Sequence, residues 1–76
     1  MNIEEHVCVN PTVMLGKPTL RGTRITVELV LRKLAEGASI TELTEAYPQL
    51  SPASIHAAMA YAADSLAHEE LILATA

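Results

Sequence analysis

Ser39-Ile40-Thr41-Glu42-Leu43-Thr44-Glu45-Ala46-Tyr47-Pro48-Gln49-Leu50-Ser51-Pro52 contains a helix start, a helix stop and a second start in one unbroken run. Ser39 and Glu42 have the spacing of a capping box, in which hydroxyl and carboxylate each satisfy a backbone N–H that a first turn leaves orphaned. Ile40, Leu43 and Tyr47 then share a face. Pro48 biases the residue before it away from helical geometry, so this helix closes near Ala46. After Gln49-Leu50, Ser51 as N-cap and Pro52 as first helical residue begin a third helix. Ile55, Met59, Ala62 and Leu66 follow at heptad-like spacing and predict a helix reaching about Leu71.

Upstream, Thr26 is a good N-cap, and Glu28 falls in a first turn where the helix dipole favours an acid. Val27, Val30, Leu31 and Leu34 make an i, i+3, i+4, i+7 stripe, with Glu28 and Arg32 placed to pair on the exposed side. Gly37 suits the position after the last turn, so the first helix runs from about Val27 to Glu36. Earlier still, His6-Val7-Cys8-Val9 is a short β-prone run ended by Asn10-Pro11, and Thr12–Leu15 is a second brief apolar run stopped by Gly16. Thr19-Leu20 and Arg24-Ile25-Thr26 flank a bend at Arg21-Gly22-Thr23. One or two small strands are expected there, and they need a helix or a second subunit against them. The reading is a mainly α, single-domain chain over residues 1–76. An extended arm and charged loop occupy 1–25, and a helical bundle with helix-turn-helix rhythm occupies 26–72.

The 76-residue length is near the lower limit for a self-sufficient core, and neither Trp nor Phe is present to thicken it. Self-association is the expected remedy. Lys17, Arg21, Arg24, Arg32 and Lys33, all five cations, lie in residues 1–34, whereas residues 35–76 carry six acids and no cation. Any attraction for nucleic acid must therefore come from the first half. The same asymmetry suits docking onto a basic protein. A lone Cys8 excludes an internal disulfide and fits a reducing cytosol. No secretory leader pattern or membrane-length apolar run is read, so a cytoplasmic location is expected.

Gly16-Lys17-Pro18-Thr19-Leu20-Arg21-Gly22-Thr23-Arg24 gathers two glycines, a proline and three cations before the first helix. Glycine-lysine invites a phosphate-loop reading, but Pro11 stands where that motif needs its first glycine and Pro18 where it needs Ser or Thr. The bland account is two glycine-set bends with solvated or paired arginines. His6 and Cys8 are too few to make a metal site. Asp64 and His68 have the spacing of an ordinary exposed helical pair, and His56 and His68 are not spaced as ligands. No carboxylate pair is set for acid–base work, so neither catalysis nor a cofactor is expected. In the third helix, Ser51, Ala53, Ser54, His56 and Ala57 occupy the positions that would meet DNA. They offer no Arg, Lys, Asn or Gln for bidentate base readout. Ala57, Ala60 and Tyr61 are expected to leave a smooth surface suited to packing on another subunit.

Asn10-Pro11, Gly16-Lys17-Pro18, Leu20, Gly22-Thr23-Arg24-Ile25, Val27, Gly37, Ser39, Tyr47-Pro48, Leu50, Ile55 and Tyr61-Ala62 together resemble a small bacterial helix-turn-helix family, domain of unknown function 433. The likeness covers about residues 9 to 66. It implies a homeodomain-like fold of three helices behind short N-terminal strands. It also implies kinship with the antitoxin halves of toxin–antitoxin pairs, which dimerise, cover a PIN-like RNase toxin and bind their own promoter. The family offers no catalytic residues to carry over.

The leading expectation is thus a dimeric antitoxin with a PIN-like toxin as partner and promoter DNA as a second one, and with no small-molecule substrate. A stand-alone DNA-binding regulator and a pure interaction module are the alternatives. Lys17, Arg21, Thr23, Arg24, Arg32, Lys33, Ser54 and His56 are the candidate contacts, and Gly16, Pro18 and Gly22 shape the loop.

Overall fold

Side-chain caps set the three helices, and a computed structural model describes residues 2–67 of the chain. Helix α1 (Val27–Ala35) opens on Thr26, whose hydroxyl accepts from Leu29 N at 3.0 Å. Helix α2 (Ile40–Ala46) carries the complete capping box: Ser39 Oγ accepts from Glu42 N at 3.0 Å and Glu42 Oε1 accepts from Ser39 N at 2.9 Å. Helix α3 (Pro52–Ala67) is held the same way, with Ser54 taking the part that glutamate plays in α2. Ser51 Oγ accepts from Ser54 N at 3.1 Å, and Ser54 Oγ accepts from Ser51 N at 2.9 Å. Gly37 follows α1 at φ +104, a left-handed conformation that costs glycine little.

The sheet is minimal. Strand β1 (Val7–Cys8) pairs antiparallel with β2 (Thr19–Leu20), in the register Val7↔Leu20 and Cys8↔Thr19. On its other side β2 meets only an isolated bridge, Thr19↔Thr26, so the extended piece expected at Arg24–Thr26 contracts to one residue. The run Thr12–Leu15 does not join the sheet. Asn10 Oδ1 accepts from Thr12 N at 2.9 Å and from Thr12 Oγ1 at 2.8 Å, which turns the chain. Met14, Leu15 and Gly16 then follow at φ +49, +59 and +80, and Leu15 is left 95% exposed.

The core is Val7, Leu20, Val27, Val30, Leu43, Leu50, Ile55, Ala57 and Ala58. Helix α3 is its centre, packing on α1, α2, β1 and the 3₁₀ turn Ile3–Glu5. The buried face of α3 is Ser54, Ile55, Ala57 and Ala58, and the helix departs from the sequence reading at three residues. Ala57 and Ser54 were expected at the surface, and both are inside. Leu66 was expected in the apolar stripe, and it is 60% exposed. Periodicity cannot tell an alanine that faces solvent from one that lets two backbones approach closely. The expected continuation of α3 to Leu71 lies outside the described residues. Among the described residues no helix is long and apolar enough to cross a membrane.

Ile55 is wholly buried where α3 meets the rest of the core. Ile55→Ala is expected to cost about 2–5 kcal/mol of stability. A urea titration followed by circular dichroism will read that loss, and a shift under 1 kcal/mol would contradict a core centred on this residue.

Candidate functional site

The loop between β2 and α1 is closed mainly by backbone. Leu20 N donates to Ile25 O at 2.8 Å, Val27 N to Pro18 O at 2.9 Å, and Thr23 N to Leu20 O at 3.0 Å. Thr23 Oγ1 donates to Leu20 O at 2.8 Å and accepts from Ile25 N at 3.0 Å, so this side chain shapes the bend. Gly22 sits at φ +80 with nothing within 4 Å of where a Cβ would lie; the conformation, not crowding, calls for glycine. Arg21 turns back onto the N-terminal arm. Its Nε and Nη2 donate to Glu4 O at 3.1 and 2.7 Å, and Nη2 also reaches Val7 O at 3.3 Å. The planar fork of a guanidinium fits carbonyls held in this way.

Arg24 is used differently. It is exposed, and among the described residues its side chain has no hydrogen-bond or ion-pair partner. Beside it opens a hollow of about 590 Å³ lined by Arg21, Gly22, Thr23 and Arg24 together with Cys8, Asn10, Thr19 and Gln49. The donors here suit a carboxylate or another anion brought in by a partner.

A second concavity, of about 560 Å³, lies between α1 and the C-terminal half of α3. Its floor is Val27, Leu31, Ala35, Tyr61, Ala62 and Leu66, and Lys17, Glu28 and Arg32 stand at its rim. Arg32 Nε lies 3.0 Å from Glu28 Oε2, and Lys17 Nζ lies 3.5 Å from Glu28 Oε1. The hydrogen bond from Arg32 first, and the charge of Lys17 next, hold the Glu28 carboxyl below its ordinary value of 4.5. Glu42 is held below 4.5 as well, by the Ser39 amide and then the Ser39 hydroxyl.

The structure therefore divides the expected contacts. Arg21, Gly22, Thr23 and Arg24 gather at the hollow, while Lys17, Pro18 and Arg32 gather at the groove. Lys33 pairs with Glu36 at 3.8 Å, away from both. His56 is exposed on α3 by itself. Ser54, expected as a surface contact, is 8% exposed and its hydroxyl is engaged in the cap of its own helix; this corrects that assignment. Gly16 also has φ +80, and an added Cβ would meet Pro11 Cα at an ordinary 3.7 Å. Gln49 and Asn10 line the hollow without any sequence signal for that role, since their loops approach it only in three dimensions. Among the described residues no three His, Cys, Asp or Glu side chains converge as metal ligands. The expected Asp64–His68 pair falls partly outside the described residues.

Three helices, a short two-stranded sheet and a cation-bearing loop define a small, mainly helical domain. The family model described as "Protein of unknown function (DUF433)" matches residues 7–62, and the chain belongs to that family. The chain is 38% identical over 58 residues to "Uncharacterized protein y4eO" of Sinorhizobium fredii (strain NBRC 101917 / NGR234). The aligned part is 76% of this chain and 26% of that relative, so the chain spans about a quarter of the curated protein it matches. The fold is also similar to the crystal structure of a DUF433 member protein from Anabaena variabilis ATCC 29413. There the TM-score is 0.78 at 26% identity, covering 95% of this chain and 71% of the other.

Arg21→Ala removes the tie between the loop and the arm and is expected to lower stability by about 1 kcal/mol, with Arg21→Lys a poor substitute. Chemical denaturation of the three proteins checks this. The two depressed carboxyls predict acid sensitivity. As pH falls the unfolded chain takes up these protons before the folded one does. Stability present at neutral pH is then lost from about 4.5 downward, the ordinary value both carboxyls undercut. Glu28→Gln combined with Glu42→Gln should flatten that acid limb in unfolding midpoints measured against pH.

Proposed function

We propose that the protein is the antitoxin member of a toxin–antitoxin pair, a non-enzymatic, self-associating protein that covers a PIN-like ribonuclease through its β2–α1 loop. The observation that carries this reading is the allocation of its cations. Lys17, Arg21, Arg32 and Lys33 each have a partner within the fold. Arg24 stands exposed at the lip of the hollow with none among the described residues. An arginine presented on a braced loop suits the acidic, cation-binding centre of a nuclease, where charge-assisted bonds to carboxylates replace the metal's attraction. Membership of the DUF433 family is compatible with this role, and the link to antitoxins is the resemblance drawn from the sequence motifs.

Binding of promoter DNA has less support. The first turns of α3 present Pro52, Ala53 and His56 to solvent and bury Ser54, Ile55 and Ala57. A homeodomain-like docking of α3 in the major groove would find few base-reading side chains there. DNA affinity in this reading comes from the first-half cations touching phosphate, and it falls steeply with salt.

Co-expression with a PIN-like nuclease, scored by growth and by co-purification, tests the proposal. Arg24→Ala is expected to weaken complex formation about tenfold to a hundredfold, the cost of one or two charge-assisted bonds, while leaving the urea midpoint unchanged. Neutralisation unaffected by Arg24→Ala would place the contact elsewhere. Absence of any complex with the wild-type chain would overturn the antitoxin role.

A further inference from the structure

The groove between α1 and α3 shares no lining residue with the hollow at Arg24, and its chemistry is different. Its α1 wall runs from Val27 to Ala35, about 12 Å of helix axis. Three aliphatic anchors at i, i+4 and i+7 of a partner helix span about 10 Å and match that wall. A helix also keeps its own backbone polar groups paired over an apolar floor. An extended segment of the same length aims only alternate side chains downward and leaves its N–H and C=O groups to be paired. The lining includes no residue of β1 or β2 to pair them. At the rim, Arg32 spends only Nε on Glu28, and among the described residues its two Nη groups have no hydrogen-bond partner. Lys17 shares the same carboxylate. Two cations to one acid leave this rim positive on a chain of net charge −4, and the open guanidinium fork fits a second carboxylate. The described surface of a second copy does not offer aliphatic side chains beside acids. Its large exposed apolar residues are Val9, Met14, Leu15 and Leu66. The first three fall within residues 6–27, which hold no acid, and Leu66 belongs to the groove itself.

We propose that the α1–α3 groove receives an amphipathic helix of a different protein, one with an aliphatic stripe flanked by glutamate or aspartate. The stripe packs on Leu31, Tyr61 and Leu66, and a flanking acid takes the open side of Arg32. Glu28 tempers the attraction, because an incoming acid shares Lys17 and Arg32 with it. This is a second protein contact on the molecule, separate from the loop contact at Arg24, and it stands or falls without the antitoxin role.

The isotope-labelled full chain is titrated with a synthetic alanine-based helix of about 15 residues, carrying leucines at i, i+4 and i+7 with glutamates beside them. Backbone amide shifts in nuclear magnetic resonance read both site and affinity, and sedimentation equilibrium reads mass. Saturable shifts centred on Leu31, Arg32, Tyr61 and Leu66 are expected. The same peptide with lysines in place of glutamates should bind about tenfold more weakly at low salt. Arg32→Glu should weaken the glutamate peptide about tenfold and reverse the preference between the two peptides. Glu28→Gln should strengthen the glutamate peptide about threefold, since it releases both cations. Leu66→Asp should weaken either peptide about tenfold by setting a carboxylate against apolar surface. If circular dichroism shows that Leu66→Asp disturbs folding, Ala35→Glu at the exposed edge of the groove replaces it. Absence of saturable shifts, shifts away from the groove, or equal binding of the two peptides overturns the proposal. A dimer that forms without peptide and is dissociated by Leu66→Asp assigns the groove to a second copy and overturns it. So does decanoate shifting the same amides at lower concentration than the peptide, which assigns the groove to small amphiphiles.

Discussion

Close approach of α3 to everything around it is the constraint on which the rest depends. With no Phe or Trp available, the core cannot be filled by large rings, so it is closed by bringing backbones together. Ala57 and Ala58 are completely buried beside Ile55, and Ser54 joins them because its hydroxyl is satisfied within its own cap. Any larger side chain at these positions would lift α3 from α1, α2 and β1 together, and dense interiors do not absorb such a change locally. The two-residue strands survive only because that helix lies over them.

A fixed α3 determines how the charged loop behaves. Leu20, at the C-terminal end of β2, is 1% exposed, so the residue that starts the loop is anchored in the core. From that anchor Arg21 reaches back to the arm, Thr23 closes the bend, and Arg24 is left pointing at a hollow. Arginines three residues apart thus do opposite work, one as a brace and the other as an exposed charge. A loop braced by its own backbone loses little conformational freedom on meeting a partner.

Sequence alone made the three helices legible because their signals are local. Thr26, the Ser39–Glu42 box, Gly37 and Pro48 each act within a turn of where they stand, and the structure places helix ends within a residue or two of them. The face of α3 was not legible, since alanine carries too little hydrophobic contrast to mark inside from outside. Ser54 was misassigned for a related reason: serine is polar whether it meets solvent or caps its own helix. The turn at Met14–Gly16 escaped notice because two non-glycine residues, Met14 and Leu15, adopt left-handed geometry that side-chain type does not announce. At the site, the glycine-cation loop announced itself. The rest of the lining, with Gln49 and Asn10, needed the fold to bring distant residues together.

The scarcity of aromatic residues has an optical consequence. Tyr47 and Tyr61 are the chain's only aromatic residues of the Phe, Trp and Tyr set. Tyr61 forms part of the α1–α3 groove wall, whereas Tyr47 sits at the end of α2 and does not line it. The near-ultraviolet spectrum is therefore the sum of two phenols in separate surroundings, one of which stands where a ligand in the groove would touch it. The protein carries an intrinsic chromophore for that surface, with a built-in reference, and needs no attached dye to follow its occupancy.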